Sequence, residues 1–326
     1  MDKVNWGIIG CGDVTEIKSG PAFNKIKNSS LVAVMRRNAA KAEDYARRHH
    51  VPKWYDDASS LINDPDVNAI YIATPPSSHE EYAIAAFNAG KPVYVEKPMT
   101  INAASAIRMT NAAKEKDQKL VVAHYRRAQP FFNKIKQLID EAAIGEIRLV
   151  RSEIYKKPST PEYLAAEHTG WRLNPAIAGG GLFHDIGPHQ LDLMDFYFGE
   201  IDKASGYSAN QNKLYNVDDI VVGNILFKSG VIFNGVWCFS VDEKQEKDNC
   251  EIIGSKGKIN FSFFEHRPIL LTVNVKTEEI VFDPLPHVQQ PLIEKIVDYF
   301  IGQGPNPCSG ETGITVMKLI DCFTKK

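Results

Sequence analysis

The chain has 326 residues, of which 44% are hydrophobic and 24% are charged. This length favours two domains, because single hydrophobic cores stop growing near this size. The 38 basic residues are balanced by 40 acidic ones, so no basic excess favours nucleic acid as a partner. The five cysteines are scattered and form no CxxC pair or zinc-ligand spacing, so neither a metal nor disulfides are expected.

The amino-terminal sequence and the lengths of the apolar runs predict a cytoplasmic protein. The chain begins MDKVNWGIIG and goes directly into a strand pattern, without the basic region and long apolar core of a secretion signal. No apolar run approaches the roughly 20 residues that a membrane helix needs. We therefore expect neither secretion nor a membrane partner.

The first third of the chain alternates short apolar strands with helical segments. Strands are predicted at Val4–Ile9, Leu31–Met35, Val67–Ala73, Pro92–Val95 and Lys119–Ala123. Helices are predicted at Lys41–His49, Asp57–Asn63, His79–Ala89 and Ala103–Lys116. This alternation is typical of parallel βαβ units with both faces of the sheet covered. It predicts an α/β fold, a Rossmann-type doubly wound parallel sheet that binds a dinucleotide, over residues 1–123.

The pattern changes in residues 124–326, which predict an α+β domain. Helices are expected at Pro130–Ala142, Gly181–Phe198, His287–Gly302 and Gly313–Thr324. Strands are expected at Glu146–Tyr155, Ile201–Ser208, Asp219–Phe227, Val231–Val241, Asn249–Ile253, Lys258–Phe263 and Leu270–Val275. Strands without intervening helices indicate a large, mostly antiparallel sheet that is open on one face. We expect this domain to bind substrate and, through its sheet, to form a homodimer or homotetramer.

The first predicted strand ends in a glycine turn with the pattern G-x-x-G-x-G-x-x-T. Gly10 would make the tight turn, and Gly12 would let the backbone approach a pyrophosphate at the start of a helix that opens with Asp13 and Val14. Thr15 replaces the third glycine of the dinucleotide fingerprint, which governs only helix–strand packing. Such a turn can also have no ligand, but its place after the first of five strands favours a cofactor site.

The end of the second predicted strand decides between NAD and NADP. An NAD site places an acidic side chain here, about 20 residues beyond the glycines, to accept from the ribose 2′-hydroxyl. This chain has Arg36 and Arg37 instead. Guanidinium groups suit a 2′-phosphate, which arginine can bind through two hydrogen bonds, although arginine pairs are also common in exposed loops. We expect NADP as the preferred cofactor and NAD as the alternative.

Two further motifs carry polar side chains suited to chemistry. Glu96-Lys97-Pro98 follows the fourth predicted strand, at the sheet edge where such folds bind ligands. The glycine-rich segment 179–192 opens a helix that carries Asp185 and His189. Residues four apart share one face of a helix, so this helix can present a carboxylate and an imidazole together.

These segments resemble the Gfo/Idh/MocA oxidoreductases, a family that includes glucose–fructose oxidoreductase and inositol dehydrogenases. The likeness covers nearly the whole chain. It comprises Gly10 with Gly12, Ala73-Thr74-Pro75, His79, Ala89-Gly90-Lys91-Pro92, Glu96-Lys97-Pro98, Tyr125-Arg126-Arg127, Ile144-Gly145-Glu146-Ile147 and the glycine run with Asp185 and His189. The resemblance implies hydride transfer between a nicotinamide cofactor and a CH–OH or C=O group of a sugar or polyol.

The resemblance also implies roles for individual residues. Lys97 is similar to the family's active-site lysine, Asp185 to its substrate-binding carboxylate and His189 to its general acid/base. Hydride transfer to a carbonyl leaves an oxyanion that a cationic group can stabilise and protonate, which suits these residue types. The other implied contacts are Thr74, Pro75, His79, Glu96 and Lys97 with the cofactor and Lys97, Tyr125, Asp185 and His189 with the substrate.

The segment before the glycine run carries further candidates for a sugar pocket. Trp171-Arg172 resembles a pair found in some members of the family, in which the arginine meets the substrate, although a tryptophan here can equally belong to the core. Tyr155, Tyr163 and His168 could line the same pocket, because such side chains bond and stack on hydroxyl-rich rings. His184 is about 100° from Asp185 around a helix and is expected to be structural.

Two other functions are compatible with the same motifs. In a redox-assisted glycosidase, a retained nucleotide would oxidise a sugar carbon transiently, without net turnover of cofactor. A nucleotide-sensing regulator would bind the cofactor and catalyse nothing, but such a protein has no need of Lys97, Asp185 and His189 together. Hydride transfer remains the favoured interpretation.

Overall fold

The computed structural model describes residues 1–160 and 170–324, and it divides the chain into two compact units. The first contains Met1–Gln129 and Leu285–Met317. The second contains Pro130–Pro284 and the residues from Lys318 onward. The predicted division into 1–123 and 124–326 differs in two respects: the first boundary lies after Gln129, and residues 285–317 return to the first unit. None of the described helices has the length and apolarity needed to cross a membrane.

The first unit is built on a parallel sheet, as predicted. Its strands are β1 (Val4–Ile9), β2 (Ser29–Met35), β3 (Lys53–Tyr55), β4 (Ala69–Ile72), β5 (Val93–Val95) and β6 (Leu120–Val122). Their order is β3-β2-β1-β4-β5-β6, and all described pairs are parallel. This is the order of dinucleotide-binding sheets, whose ligand site lies at the carboxyl ends of the central strands. The Rossmann-type prediction is confirmed.

Helices cover this sheet, and polar side chains cap the start of three of them. They are α1 (Asp13–Ile17), α2 (Gly20–Phe23), α3 (Ala39–Arg48), α4 (Ala58–Ile62), α5 (His79–Asn88) and α6 (Ala103–Glu115). The side chains of Asn38, Asp57 and Asn102 accept hydrogen bonds from the third residue beyond them, at 3.0, 2.7 and 2.9 Å. Each bond satisfies an amide that the first helical turn leaves without a partner, which fixes where the helix starts.

The edge strand β3 was not predicted. Lys53, Trp54 and Tyr55 form only three residues, and none of the three is buried, so no apolar pattern marks them. The central strands differ, because Trp6 of β1 is fully buried and its Nε1 donates to Ser29 Oγ at 3.0 Å. Burial on both faces therefore gave the signal for the inner strands, and its absence hid the edge strand.

The second unit contains the large sheet with helices against it. Its helices are α7 (Pro130–Asp140), α8 (Pro175–Ala178) and α9 (Leu182–Phe198). Its strands are β7 (Ile147–Tyr155), β8 (Ile201–Ala209), β9 (Ile220–Phe227), β10 (Ile232–Cys238), β11 (Lys247–Gly254), β12 (Gly257–Phe261), β13 (Ile269–Val273) and β14 (Lys276–Ile280). Among the described strands of this second sheet, only β7 and β10 pair in parallel. The prediction of a mostly antiparallel sheet is therefore confirmed.

Strand β14 was missed because the preceding prediction ran through a turn. Asn274 and Val275 have φ of 48° and 62°, which makes the tight β13–β14 connection. Left-handed backbone is common for asparagine but rare for valine, so the sequence gives no sign of a turn at Val275. The apolar side chain places this residue in the predicted strand, whereas in the structure it is 99% exposed. The chain ends with α10 (Gln290–Phe300) and α11 (Gly310–Thr324).

Candidate active site

The glycine turn after β1 contains two glycines that are needed for different reasons. Gly10 has φ of +94°, and a Cβ added there would lie 2.7 Å from Thr74 Cγ2 and 2.9 Å from the Thr74 amide nitrogen. The protein itself therefore requires a glycine at this position. Gly12 has extended backbone, and an added Cβ would meet only the Gly10 carbonyl, at 3.9 Å. The space beside Gly12 is open, which is what a pyrophosphate group would need.

Thr15 closes this turn in place of the third glycine. The Gly12 amide donates to Thr15 Oγ1 at 3.0 Å, and the hydroxyl donates back to the Gly12 carbonyl at 2.8 Å. The helix that follows, α1, has only five residues. Asp13 and Val14 are its first two residues, so their amides have no acceptor within the helix and can donate to a ligand.

The two arginines at the end of β2 lie in different surroundings. Arg36 is half-buried, and its Nη1 donates to the carbonyl of Cys11 in the glycine turn at 3.3 Å. Arg37 is exposed and lines a cavity of about 500 Å³ with residues of α4 and α5. Within the described residues, no carboxylate forms an ion pair with either guanidinium. Burial raises the pKa of the Cys11 thiol to about 12, against the opposing charge of Arg36, so this thiol is neutral.

His79 connects two loops at the carboxyl edge of the sheet. Its Nε2 lies 2.7 Å from the Thr74 carbonyl oxygen and its Nδ1 lies 3.2 Å from that of Met99. Burial lowers the pKa of this imidazole, although the two carbonyl contacts oppose the shift. The side chain has no exposed surface, and through these two contacts it holds the Thr74-Pro75 loop against the loop after β5. Its cofactor contact stays a prediction.

Glu96, at the end of β5, is a buried carboxylate with several donors. Its Oε1 accepts from the Tyr71 hydroxyl and from Gln289 Nε2, both at 2.6 Å. Tyr94 donates to Gln289 Oε1 at 2.6 Å, and the Lys97 amide donates to Glu96 Oε2 at 3.1 Å. Burial, and then the charge of Glu96, raises the pKa of Tyr71 well above its usual range, so this hydroxyl keeps its proton. The network fixes the main chain from which Lys97 projects.

The predicted positions around Lys97 differ in exposure. Lys97 is half-exposed and its peptide bond to Pro98 is cis. Glu96 is 5% exposed and takes part in the network that supports Lys97, and its cofactor contact stays a prediction. Tyr125, the predicted substrate contact, is buried, with the Arg126 guanidinium 5.6 Å from its ring centroid.

In the second unit, the glycine run before α9 is explained by close packing. A Cβ on Gly180 would lie 2.0 Å from Cε1 of His184, and one on Gly181 would lie 2.8 Å from Val217 Cγ2. The glycine at 180 therefore leaves room for the His184 ring. Burial lowers the pKa of His184 to about 4, against the charge of Asp218, so the ring is neutral and buried, as expected for a structural histidine.

Helix α9 presents the predicted acidic and basic residues of the second unit. Arg172 Nε donates to Asp185 Oδ2 at 3.1 Å, and the two side chains are 24% and 30% exposed. The Arg172 guanidinium also lies 4.7 Å from the Trp171 ring centroid. His189 is one turn further along α9, 6% exposed, with its ring centroid 5.7 Å from that of Phe264. The structure therefore groups a guanidinium, a carboxylate and an imidazole at the start of one helix.

Three other residues were candidates for the sugar pocket. The Tyr155 hydroxyl donates to Glu153 Oε1 at 2.9 Å, and burial raises the pKa of this phenol to about 12. Tyr163 and His168 lie outside the described residues.

Comparison with known proteins identifies the family. The model for an oxidoreductase family with an NAD-binding Rossmann fold matches residues 4–124, and the GFO/IDH/MocA C-terminal domain model matches residues 132–260. The chain belongs to the Gfo/Idh/MocA oxidoreductases. Both the predicted family and the predicted enzyme class are confirmed.

Individual Gfo/Idh/MocA proteins are similar to this chain over nearly their full lengths. An oxidoreductase from Formosa agariphila is 47% identical over 321 residues, which cover 98% of each chain. A 1,5-anhydro-D-fructose reductase from Ensifer adhaerens is 28% identical over 95% of this chain and 92% of its own. The crystal structure of an aldose-aldose oxidoreductase from Caulobacter crescentus, complexed with glycerol, is 25% identical, with a TM-score of 0.85 over 98% of this chain and 96% of its own.

Several residues around the Glu96 network and around His189 could not be found from the sequence. Gln289 is far from the Glu96-Lys97-Pro98 motif along the chain, and only the return of residues 285–317 to the first unit brings it there. Tyr71 and Tyr94 lie among apolar residues in buried strands, and no motif marks them. Phe264 and Asp248, whose carboxylate accepts from the Phe264 amide, lie in segments without any motif. Spacing along the sequence carries no signal for such long-range contacts.

Proposed function

We propose that this protein is an NADP-preferring oxidoreductase that transfers a hydride between nicotinamide and a carbon of a sugar, polyol or related carbonyl compound. The proposal is carried by helix α9, where Asp185 holds Arg172 and His189 follows one turn later. Such groups can orient hydroxyls and exchange a proton with one of them. The reductase and the aldose-aldose oxidoreductase, whose names denote sugar substrates, support this substrate class.

The residues of the first unit fit a dinucleotide. The open space beside Gly12 and the amides of Asp13 and Val14 suit a pyrophosphate, because backbone donors can approach it without a side chain in the way. Thr74 packs on Gly10 and is fixed through His79, which keeps the neighbouring loop in place. A bound nicotinamide would supply the hydride donor or acceptor.

The preference for NADP rests on Arg36 and Arg37. Both carry a positive charge that no carboxylate of the described residues pairs with, at the strand end where an NAD site needs an acid. A ribose 2′-phosphate would receive charge-assisted hydrogen bonds there. The family description names NAD, so the preference depends on these two side chains alone.

The proposed proton transfer uses His189. When a substrate alcohol is oxidised, the imidazole takes the hydroxyl proton, and in the reverse direction it returns that proton to the oxygen. Asp185, oriented by Arg172, accepts hydrogen bonds from substrate hydroxyls. The Lys97 ammonium stabilises the developing alkoxide, and the Glu96 network holds its main chain in one position.

The test is a substrate panel monitored by NADPH absorbance in both directions. Cyclic sugars, ketoses and polyols are each supplied with NADPH or NADH for reduction and with NADP⁺ or NAD⁺ for oxidation. We expect turnover with sugar-like compounds and a lower KM for NADPH than for NADH. Glycoside hydrolysis by protein that retains its nucleotide, without bulk cofactor turnover, would replace hydride exchange by the redox-assisted glycosidase. Binding without turnover would replace it by the regulator.

We propose a homodimer or homotetramer through the sheet of the second unit. Tyr207 on the edge strand β8 is 81% exposed and Ile232 on β10 is 49% exposed, so large side chains with apolar surface remain uncovered at this end of the sheet. Light scattering on the purified protein tests this proposal, and a monomer at micromolar concentration would contradict it.

A further inference from the structure

The loop between β12 and β13 presents an exposed aromatic ring beside His189. Phe264 is 41% exposed, and its ring plane makes an angle of 77° with the imidazole at a centroid distance of 5.7 Å. The exposed fraction means that part of the residue's surface stays accessible beside the imidazole. An apolar surface therefore borders the candidate acid/base.

The neighbouring phenylalanines show that Phe264 is not simply a core residue that is partly uncovered. Phe261 and Phe263 are both buried, and their rings lie 6.3 and 6.5 Å from that of Phe132. Three phenylalanines within four residues thus separate into two that fill the core and one that leaves it. The main chain must turn between Phe263 and Phe264 for this to happen.

A buried carboxylate makes that turn. Asp248 on β11 accepts from the Phe263 amide through Oδ1 at 2.9 Å, and through Oδ2 from the amides of Phe264 and Glu265 at 2.6 and 3.0 Å. The Ser262 hydroxyl donates to the Glu265 carbonyl at 2.7 Å and closes the loop. Three charge-assisted bonds offset the cost of burying Asp248 and fix the main chain that carries Phe264.

We propose that Phe264 selects cyclic substrates by stacking on the C–H face of a sugar or polyol ring while one hydroxyl of that ring reaches His189. This inference rests on the proposed role of His189. A ring sugar has a flat, largely apolar face that an aromatic side chain can cover, whereas a linear polyol does not hold such a face. The rigid loop means that the ring is already in place when substrate binds, so little conformational entropy is lost.

The experiment compares cyclic and linear probes of equal carbon number. Oxidation of D-glucose and myo-inositol, both cyclic, and of the linear polyol D-sorbitol is measured with NADP⁺ and with NAD⁺ for the wild type, Phe264→Ala, Phe264→Leu and Phe264→Tyr. We expect the wild type to prefer a cyclic probe. Phe264→Ala should lower kcat/KM for it by about tenfold, mainly through KM, because an aromatic contact contributes roughly that factor. Phe264→Tyr should retain the preference, Phe264→Leu should be intermediate, and sorbitol should change little.

Trp54→Ala is the matched control, because it removes an aromatic side chain of similar exposure (40%) on the edge strand β3 of the first unit and should leave the ratio of cyclic to linear kcat/KM unchanged. Phe264 is on the surface, and circular dichroism should show that its variants remain folded. A wild type that prefers sorbitol, or a Phe264→Ala variant with an unaltered ratio, would overturn this inference alone. A wild type that turns over none of the probes with either cofactor would overturn the proposed function as well.

Discussion

The polar groups of the two units are held in contrasting ways. In the first unit, Glu96 is buried and receives bonds from Tyr71, Gln289 and the Lys97 amide. In the second, Arg172 and Asp185 form a pair that stays about a quarter exposed. A buried charge requires a complete and rigid set of partners. The attraction within a partly exposed ion pair is weak, so its members can exchange partners with a ligand. The first arrangement suits a fixed main chain beneath Lys97, and the second suits exchange with the hydroxyls of a substrate.

The largest expected effect comes from removing the acid/base of the second unit. His189→Ala should lower kcat by about 10²- to 10⁴-fold, because general acid–base catalysis contributes that range. NADPH binding, measured by fluorescence titration, should be unchanged. His184→Leu, which removes a buried histidine from the same helix, serves as the control and should retain activity. Equal turnover in wild type and His189→Ala would refute the assignment.

The pH dependence of stability tests the neutral, buried state of His184. Its folded pKa of about 4 lies below the unfolded value of 6.5, so the unfolded state binds the proton first as pH falls. The contribution of the neutral His184 ring to the free energy of unfolding is fully present above pH 6.5, and it is lost as the pH falls from 6.5 to about 4. The loss should reach about 3 kcal/mol relative to His184→Leu. Urea unfolding of both proteins at several pH values measures the difference, and parallel pH curves would contradict it.

Lys97→Met tests the side chain that the rigid network supports. Loss of one cationic donor to an alkoxide should reduce kcat by about 10²-fold, with unchanged affinity for NADPH. Lys91→Met removes a lysine from the other end of β5, where it bonds the Asp64 carbonyl, and provides the matched control. If both variants lose activity equally, the effect belongs to the strand rather than to the ammonium group.

Tyr71→Phe removes one donor from Glu96 and keeps the ring. The free energy of unfolding should fall by about 2 kcal/mol, since hydrogen bonds to charged groups contribute roughly that amount. Tyr55→Phe is the comparison, because it also removes a hydroxyl bonded to a carboxylate, that of Asp64, but at the sheet edge. A smaller loss for Tyr71→Phe than for Tyr55→Phe would contradict the rigid-network account.

Arg36→Asp should reverse the cofactor preference with the smallest change in free energy. The variant loses a contact to the 2′-phosphate and gains an acceptor for a ribose hydroxyl, so the ratio of KM for NADPH to KM for NADH should rise about tenfold. Arg47→Asp, on the exposed face of α3, is the control. A wild type that already favours NADH would show that Arg36 does not select the phosphate.

The sequence predicted the features that depend on local patterns. Alternating strands and helices, the Gly10-Cys11-Gly12 turn and the four-residue spacing of Asp185 and His189 all follow from short-range geometry. The exposed strands β3 and β14 were missed because no buried face marks them. Gln289 at Glu96 and Asp248 under Phe264 were missed because both contacts join segments that are distant along the chain. Side-chain exposure also could not be read from the motifs: His79 and Glu96, predicted as cofactor contacts, are both buried, and those contacts stay predictions.

Transfer of deuterium from labelled NADPH tests the central claim most directly. The wild type is incubated with a sugar carbonyl substrate and NADPH in which both C4 hydrogens of nicotinamide are replaced by deuterium, and the product is analysed by mass spectrometry. We expect one deuterium on the reduced carbon with the wild type. The labelled product should form much more slowly with His189→Ala at equal cofactor occupancy. Product that carries no deuterium, or equal labelling with both proteins, would contradict it.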